Sequence, residues 1–127
     1  MDSTYDLIIV GGGPGGLAAA VYAGRAERRT LLLEKGSYGG RINDTYEIRN
    51  YPGIMRDSGQ HLMERFREHG ASYPSVDWKR TTVTGIRKED DVFVVETKRR
   101  GDFKAGSVIL DLGTRPRELN IKGEKEF

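Results

Sequence analysis

The stretch Tyr5–Glu34, YDLIIVGGGPGGLAAAVYAGRAERRTLLLE, carries the strongest structural pattern in the sequence. Its first six residues, YDLIIV, are a short apolar run rich in branched side chains and closed by glycine, the pattern of a buried strand in a mostly parallel sheet. From Pro14 to Arg28 the sequence is Ala-rich. Pro14 stands where a first helical turn tolerates it, and Leu17, Ala20 and Val21 share one face, which predicts a helix. Thr30–Glu34 (TLLLE) is a second apolar run of strand length. Strand, helix and strand in succession predict a right-handed crossover between parallel neighbours.

Between the first strand and the helix stands GGGPGG, in which Gly11, Gly13 and Gly16 fit the spacing GxGxxG. That spacing has a mechanical meaning. The first glycine permits a tight turn, the second lets a diphosphate approach the backbone, and the third lets helix and strand pack closely. The free N–H groups of the first helical turn, carrying roughly half a positive charge, then face the phosphates. Glycine-rich turns also arise for packing alone, so the flanking elements matter; here a predicted strand and helix supply the required context. Glu34 closes the second strand eighteen residues after Gly16, where a carboxylate reaches the hydroxyls of an adenosine ribose. A carboxylate there repels a 2′-phosphate by about 4 kcal/mol at 4 Å and an effective dielectric near 20. FAD or NAD therefore suits this turn better than NADP. Lys35, the next residue, stays in the candidate set, although a surface cation explains it better.

Outward from this unit the signals weaken. Gly36 to Met55 has no clean period and holds Gly39, Gly40, Asn43, Asp44, Pro52 and Gly53, so it reads mainly as loop, and a loop of that length in a small domain is more often functional than idle. Ser58 is placed to cap a helix in which Leu62, Met63, Phe66 and His69 recur near helical spacing up to Gly70. Thr82–Arg87, Val92–Thr97 and the neighbourhood of Phe103 predict three strands of a β-meander, the last two joined by a turn at Lys98–Gly101. Ser107–Leu112 (SVILDL) reads as a separate return to the parallel sheet. The expected fold class is α/β: a Rossmann-type domain with a central parallel sheet plus a small meander over residues 1–113, and a polar linker over 114–127.

Composition excludes several classes of function. The 127 residues carry 21 Lys and Arg against 19 Asp and Glu, a net charge of +2, so no single-sign field steers the protein toward nucleic acid or an acidic membrane. Cysteine is absent, which removes thiolate chemistry, disulfides and thiolate metal sites from these residues. Any redox chemistry must come from a cofactor. The apolar run Leu7–Val10, preceded by Asp2 and Asp6, is too short and too acidic in flank for a signal peptide or membrane span, which gives a cytoplasmic expectation. Seventeen glycines, about twice the usual share, point back to the turn.

The ordered set DLIIVGGGPGGLAAAVYAGRA, LLLEKG, GGR at Gly39–Arg41, RNYPG at Arg49–Gly53, SVILDLGTRPREL and IKGEKEF resembles the N-terminal FAD-binding region of the thioredoxin reductase family. The resemblance runs from Tyr5 to Phe127 and selects FAD over NAD. It implies a cofactor-binding set of Gly11, Gly13, Pro14, Gly15, Gly16, Glu34, Lys35, Gly39, Gly40, Arg41, Asn50 and Gly113, with Val83 where the family's strand backbone meets adenine. It implies no catalytic residue and no metal ligand in this stretch. It also implies passage of electrons from NAD(P)H through FAD to a disulfide, thioredoxin or another acceptor as partner, and a homodimer. Two other readings stay open: a flavoprotein reductase serving ferredoxin or flavodoxin without a redox cysteine pair, and a non-catalytic nucleotide-binding module. Family members carry a Cys-x-x-Cys pair in an NADPH domain that these residues lack, so the 127 residues alone are not expected to reduce a disulfide.

This chain departs from the family pattern in three places. Arg41 and Arg49 stand where Gln and Glu are usual, adding positive charge near a phosphate or flavin edge. Asp111 takes the first position of the family's Ala-Thr-Gly motif, and strand alternation puts it on the face of Ile109 and Gly113, where it would repel a diphosphate. His61 and His69, with no carboxylate at ligand spacing, read as structural or exposed, and Tyr51 is kept because it sits within the NYPG loop.

Overall fold

The computed structural model describes residues 3–114 and 117–126. Six strands, β1 (Tyr5–Val10), β2 (Thr30–Glu34), β3 (Val76–Arg80), β4 (Val83–Glu89), β5 (Val92–Thr97) and β6 (Asp102–Leu110), form one sheet, and two α-helices, α1 (Pro14–Arg25) and α2 (Gly59–Ala71), accompany it. The sheet order is β3-β2-β1-β6-β5-β4. The first four strands in that order are parallel and the last three antiparallel. The α/β class, the parallel centre and the meander are therefore present.

Strand alternation explains why β1 and β2 are apolar throughout. Ile8, Val10, Leu31 and Leu33 face one side, and Ile9 and Leu32 the other. On the second side Leu17 and Ala20 of α1 and Leu62 and Met63 of α2 close over them. Burial on both faces is what a continuous hydrophobic strand requires. The first side is covered by the chain's own meander. β3 and β4 lie at opposite edges of the sheet, yet only Thr81 and Thr82 separate them. The three steps from Arg80 to Val83 reach about 11 Å, whereas five strand spacings span about 24 Å. The sheet must roll over itself, and it does: Val83, Val95 and Phe103 pack in the same cluster as Leu31 and Leu33. The corner is held by Thr81 N–H donating to the Glu34 carbonyl at 3.0 Å and Lys98 N–H donating to the Thr82 carbonyl at 2.9 Å.

Three elements differ from the sequence expectation. β3 (VDWKR) is an additional edge strand, paired in parallel with β2 from Thr30↔Val76 to Glu34↔Arg80. Phe103 and Ser107–Leu110 belong to one nine-residue strand, β6, which pairs antiparallel with β5 over its first half and parallel with β1 over its second. Helix α1 stops at Arg25 rather than Arg28. There Glu27 turns left-handed at φ 56°, Glu27 N–H reaches the Gly24 carbonyl and Arg28 N–H the Ala23 carbonyl, both at 3.0 Å. This is a Schellman closure with a non-glycine residue in the glycine position.

Helix α2 starts as its sequence suggests, with Ser58 Oγ accepting from His61 N–H at 3.1 Å. Residues 36–55 are largely irregular, apart from a 3₁₀ turn at Gly40–Asp44 and a lone bridge between Ile48 and Asp57. Of the 114–127 segment, the described residues 117–126 are mostly exposed and end in a short turn, while Arg115, Pro116 and Phe127 lie outside the described residues. No helix among the described residues is long and apolar enough to cross a membrane.

Candidate functional site

The glycines between β1 and α1 divide into two kinds. Gly11 has φ +110°, and a Cβ there would overlap the backbone carbonyl of Asp111. A Cβ at Gly16 would overlap the carbonyl oxygen of Gly11. These two are glycine because the fold leaves no room. Gly13 is different: its φ of −76° and ψ of −171° suit any residue, and the single heavy atom a Cβ would meet within 4 Å is Asp111 Oδ2, at 3.5 Å. For Gly15 the nearest atoms are again those of the Asp111 carboxylate, at 2.9 to 3.2 Å. Neither the backbone conformation nor packing against the body of the fold demands glycine at 13 or 15. Pro14 opens the helix on the exposed side, its missing N–H costing nothing at this position.

Glu34, half-buried at the end of β2, turns its carboxylate back onto the turn. Oε1 accepts from Gly12 N–H at 2.9 Å and Oε2 from Gly36 N–H at 2.6 Å. A carboxylate offers about four acceptor positions, so two backbone bonds leave capacity for ribose hydroxyls. Gly39 N–H donates to the Gly12 carbonyl at 2.7 Å, and a Cβ on Gly40 would lie 3.5 Å from Gly13 Cα. The second glycine pair thus forms the opposite wall of the cradle. Tyr38 completes it: its ring lies where a Cβ on Gly12 would reach, 2.9 Å away, with the Arg67 and Arg80 guanidinium groups 4.6 and 5.3 Å from its centre. Sequence reasoning missed Tyr38, although an aromatic residue inside a glycine-rich loop was a visible signal.

The structure brings together Gly11, Gly13, Pro14, Gly15, Gly16, Glu34, Gly39, Gly40 and Asp111. Lys35 and Arg41 adjoin this group in the chain as exposed side chains. The NYPG loop lies elsewhere. Tyr51 packs against Phe66 with the rings tilted at 59° and their centres 5.6 Å apart, and helps line a groove of about 820 Å³ with Val21, Tyr22 and Arg25 in the C-terminal half of α1. Helical rise puts Tyr22 about 9 Å along the axis from Gly16. Asn50 is exposed in the same loop, and Arg49 pairs with Glu47 at 2.7 Å. Val83 packs into the meander core, two residues past the Thr81–Glu34 bond. Gly113, with φ +74°, is exposed beyond β6.

One expectation fails at His61. Asp57 Oδ1 lies 2.7 Å from His61 Nδ1, so the ring does have a carboxylate partner, four residues earlier at the start of α2. The pair is exposed on the histidine side, and no group of His, Asp and Glu among the described residues is arranged to hold a metal. Among the tyrosines, Tyr5 is perturbed. Burial pushes its phenol above the ordinary value, and its hydrogen bond to Asp77 Oδ2 at 2.8 Å adds to the effect.

A strand, a glycine turn, a helix and a second strand ending in a carboxylate that folds back on the turn define a Rossmann-type α/β domain. A sequence model of the pyridine nucleotide-disulphide oxidoreductases matches residues 5–127, and the chain belongs to that family. It is 36% identical over 128 residues to a thioredoxin reductase of Peptoclostridium acidaminophilum, and 39% identical over 128 residues to one of Treponema pallidum. Both alignments take in all of this chain and 40% and 41% of the relative, so the chain spans about two fifths of the curated relatives it matches. The solved thioredoxin reductase of Lactococcus lactis has the same fold at a TM-score of 0.88 and 39% identity, covering 97% of this chain and 40% of that one.

Proposed function

We propose that this chain is the FAD-binding portion of a thioredoxin-reductase-like flavoenzyme that passes electrons from NAD(P)H through FAD to a disulfide. The observation that carries the reading is Gly13. The fold does not require glycine there, whereas a ligand that must touch the backbone does. In this reading the amides of the first turn of α1 hold the diphosphate, Glu34 holds the adenosine ribose, and Gly39 and Gly40 wall the cradle. Bound flavin supplies hydride acceptance and onward electron transfer; the residues of this chain bind and orient it. Thioredoxin or a similar carrier is the acceptor, the nicotinamide nucleotide binds outside these residues, and the working protein is a cytoplasmic homodimer.

Titration of the 127-residue protein with FAD and with ADP, followed by flavin fluorescence and calorimetry, tests the reading. Gly13→Val is expected to keep the wild-type circular dichroism spectrum and to lose binding at least a hundredfold. Wild-type affinity in that variant refutes the assignment of the turn.

A further inference from the structure

The carboxylate of Asp111 stands inside the cradle. Oδ2 accepts from Gly16 N–H at 2.7 Å, and the two oxygens are the atoms that side chains at Gly13 and Gly15 would meet first. The backbone of Asp111 cannot withdraw, because its N–H donates to the Val10 carbonyl at 2.8 Å and its own carbonyl lies against Gly11. Its side chain can, by rotation about Cα–Cβ at the loss of the Gly16 bond. Among the described residues no Lys or Arg pairs with this carboxylate. We propose that Asp111 is a built-in competitor for the anion subsite: it occupies the place of one phosphate group, and a diphosphate enters only when the side chain swings out. The inference rests on the reading of the turn as a diphosphate cradle.

Of the amides at the start of α1, Asp111 already holds that of Gly16, and its carboxylate fills the room above Gly13 and Gly15, so a diphosphate drawn to this turn competes with it for both. It also meets an unneutralised like charge on approach. Asp111 therefore stabilises the free protein, as an acceptor at a helix N-terminus does, and weakens nucleotide binding by the same contact. The two effects have opposite signs in one residue, which a purely structural side chain would not produce.

The test measures ADP binding by calorimetry, together with melting temperature with and without ADP, for the unaltered chain, Asp111→Ala and Asp111→Asn. The expected result is at least tenfold tighter ADP binding in both variants, alongside a lower melting temperature without ligand and a larger upward shift with it. Equal or weaker binding in folded variants, with measurable binding by the unaltered chain, overturns the proposal while the cradle survives. Absence of binding by all three proteins at millimolar ADP instead fells the cradle reading, and this inference with it. Should both variants fail to fold, the ¹³C carboxyl resonance of Asp111 in the unaltered chain decides: it moves on saturation with ADP, and a resonance that stays in place in the bound form is the overturning result.

Discussion

Two carboxylates touch the same glycine turn from opposite ends, and they do different work. Glu34 sits at the end of β2 and ties two backbone amides, Gly12 and Gly36, so that strand, turn and following loop are held at one point. Asp111 sits just past β6 and holds a single amide, Gly16, at the mouth of α1. The first is part of the frame and leaves acceptor capacity for a sugar. The second lies across the opening itself. A negative charge near a helix N-terminus is favourable wherever it comes from, and at α1 the protein supplies its own.

Substitutions separate the two carboxylates. The largest effect is expected from Gly16→Ala, whose Cβ would overlap the Gly11 carbonyl. Turn and helix would have to separate, with a loss of about 3 kcal/mol or more in urea melts, and a wild-type midpoint would show that the turn is not held as tightly as the structure has it. Next comes Glu34→Ala. It strips the acceptor from the buried Gly12 amide and from Gly36, costing about 1–3 kcal/mol, and Glu34→Gln, which retains an acceptor, is expected to recover part of that. Asp111→Ala is expected to cost less, about 0.5–1 kcal/mol, since it removes one helix-capping bond where Glu34→Ala removes two backbone bonds. A loss equal to that of Glu34→Ala would make Asp111 part of the frame and erase the contrast.

A remote carboxylate provides the scale for both. Asp77 accepts from Tyr5 Oη at 2.8 Å across the β1–β3 side of the sheet, far in the chain from the turn. Tyr5→Phe should cost about 0.5–1.5 kcal/mol, as one ordinary hydrogen bond does. Because burial and then Asp77 raise the phenol above its unfolded value of about 10, folding holds that proton more tightly than the unfolded chain does. The stabilisation is complete below about pH 10 and is lost as pH rises through the folded-state value. An alkaline ultraviolet titration should show a late tyrosine phase that is missing in Tyr5→Phe.

Much of this was legible in the sequence wherever a residue's neighbours in the chain are also its reasons. The run YDLIIV, the Pro at the start of α1, the TLLLE strand and the Ser58 cap are local signals, and each stands where it was expected. What escaped depends on partners far away. β3 carries the alternation of a half-buried strand, Val76 and Trp78 inward, but five residues bearing three charges gain strand character only from β2 beside them. β6 read as two pieces because its two halves pair with different strands in opposite senses, so no single period spans it. Helix α1 gave no stop signal, since Glu27 adopts the left-handed conformation without being glycine. At the site, the glycine spacing and Glu34 were readable, and alternation placed Asp111 on the troublesome face. The bond from Gly16 to Asp111 joins residues 95 apart in sequence, and no pattern within the first crossover contains it.

Glu34 offers its side chain to the turn and its carbonyl to Thr81, while Thr82 receives Lys98 from the hairpin that covers the other face. A sugar clasped by that carboxylate is therefore two backbone hydrogen bonds away from the seam where the rolled sheet meets its own lining. Nucleotide binding should therefore register as slower amide exchange at Thr81, bonded to Glu34, and through Thr82 at Lys98.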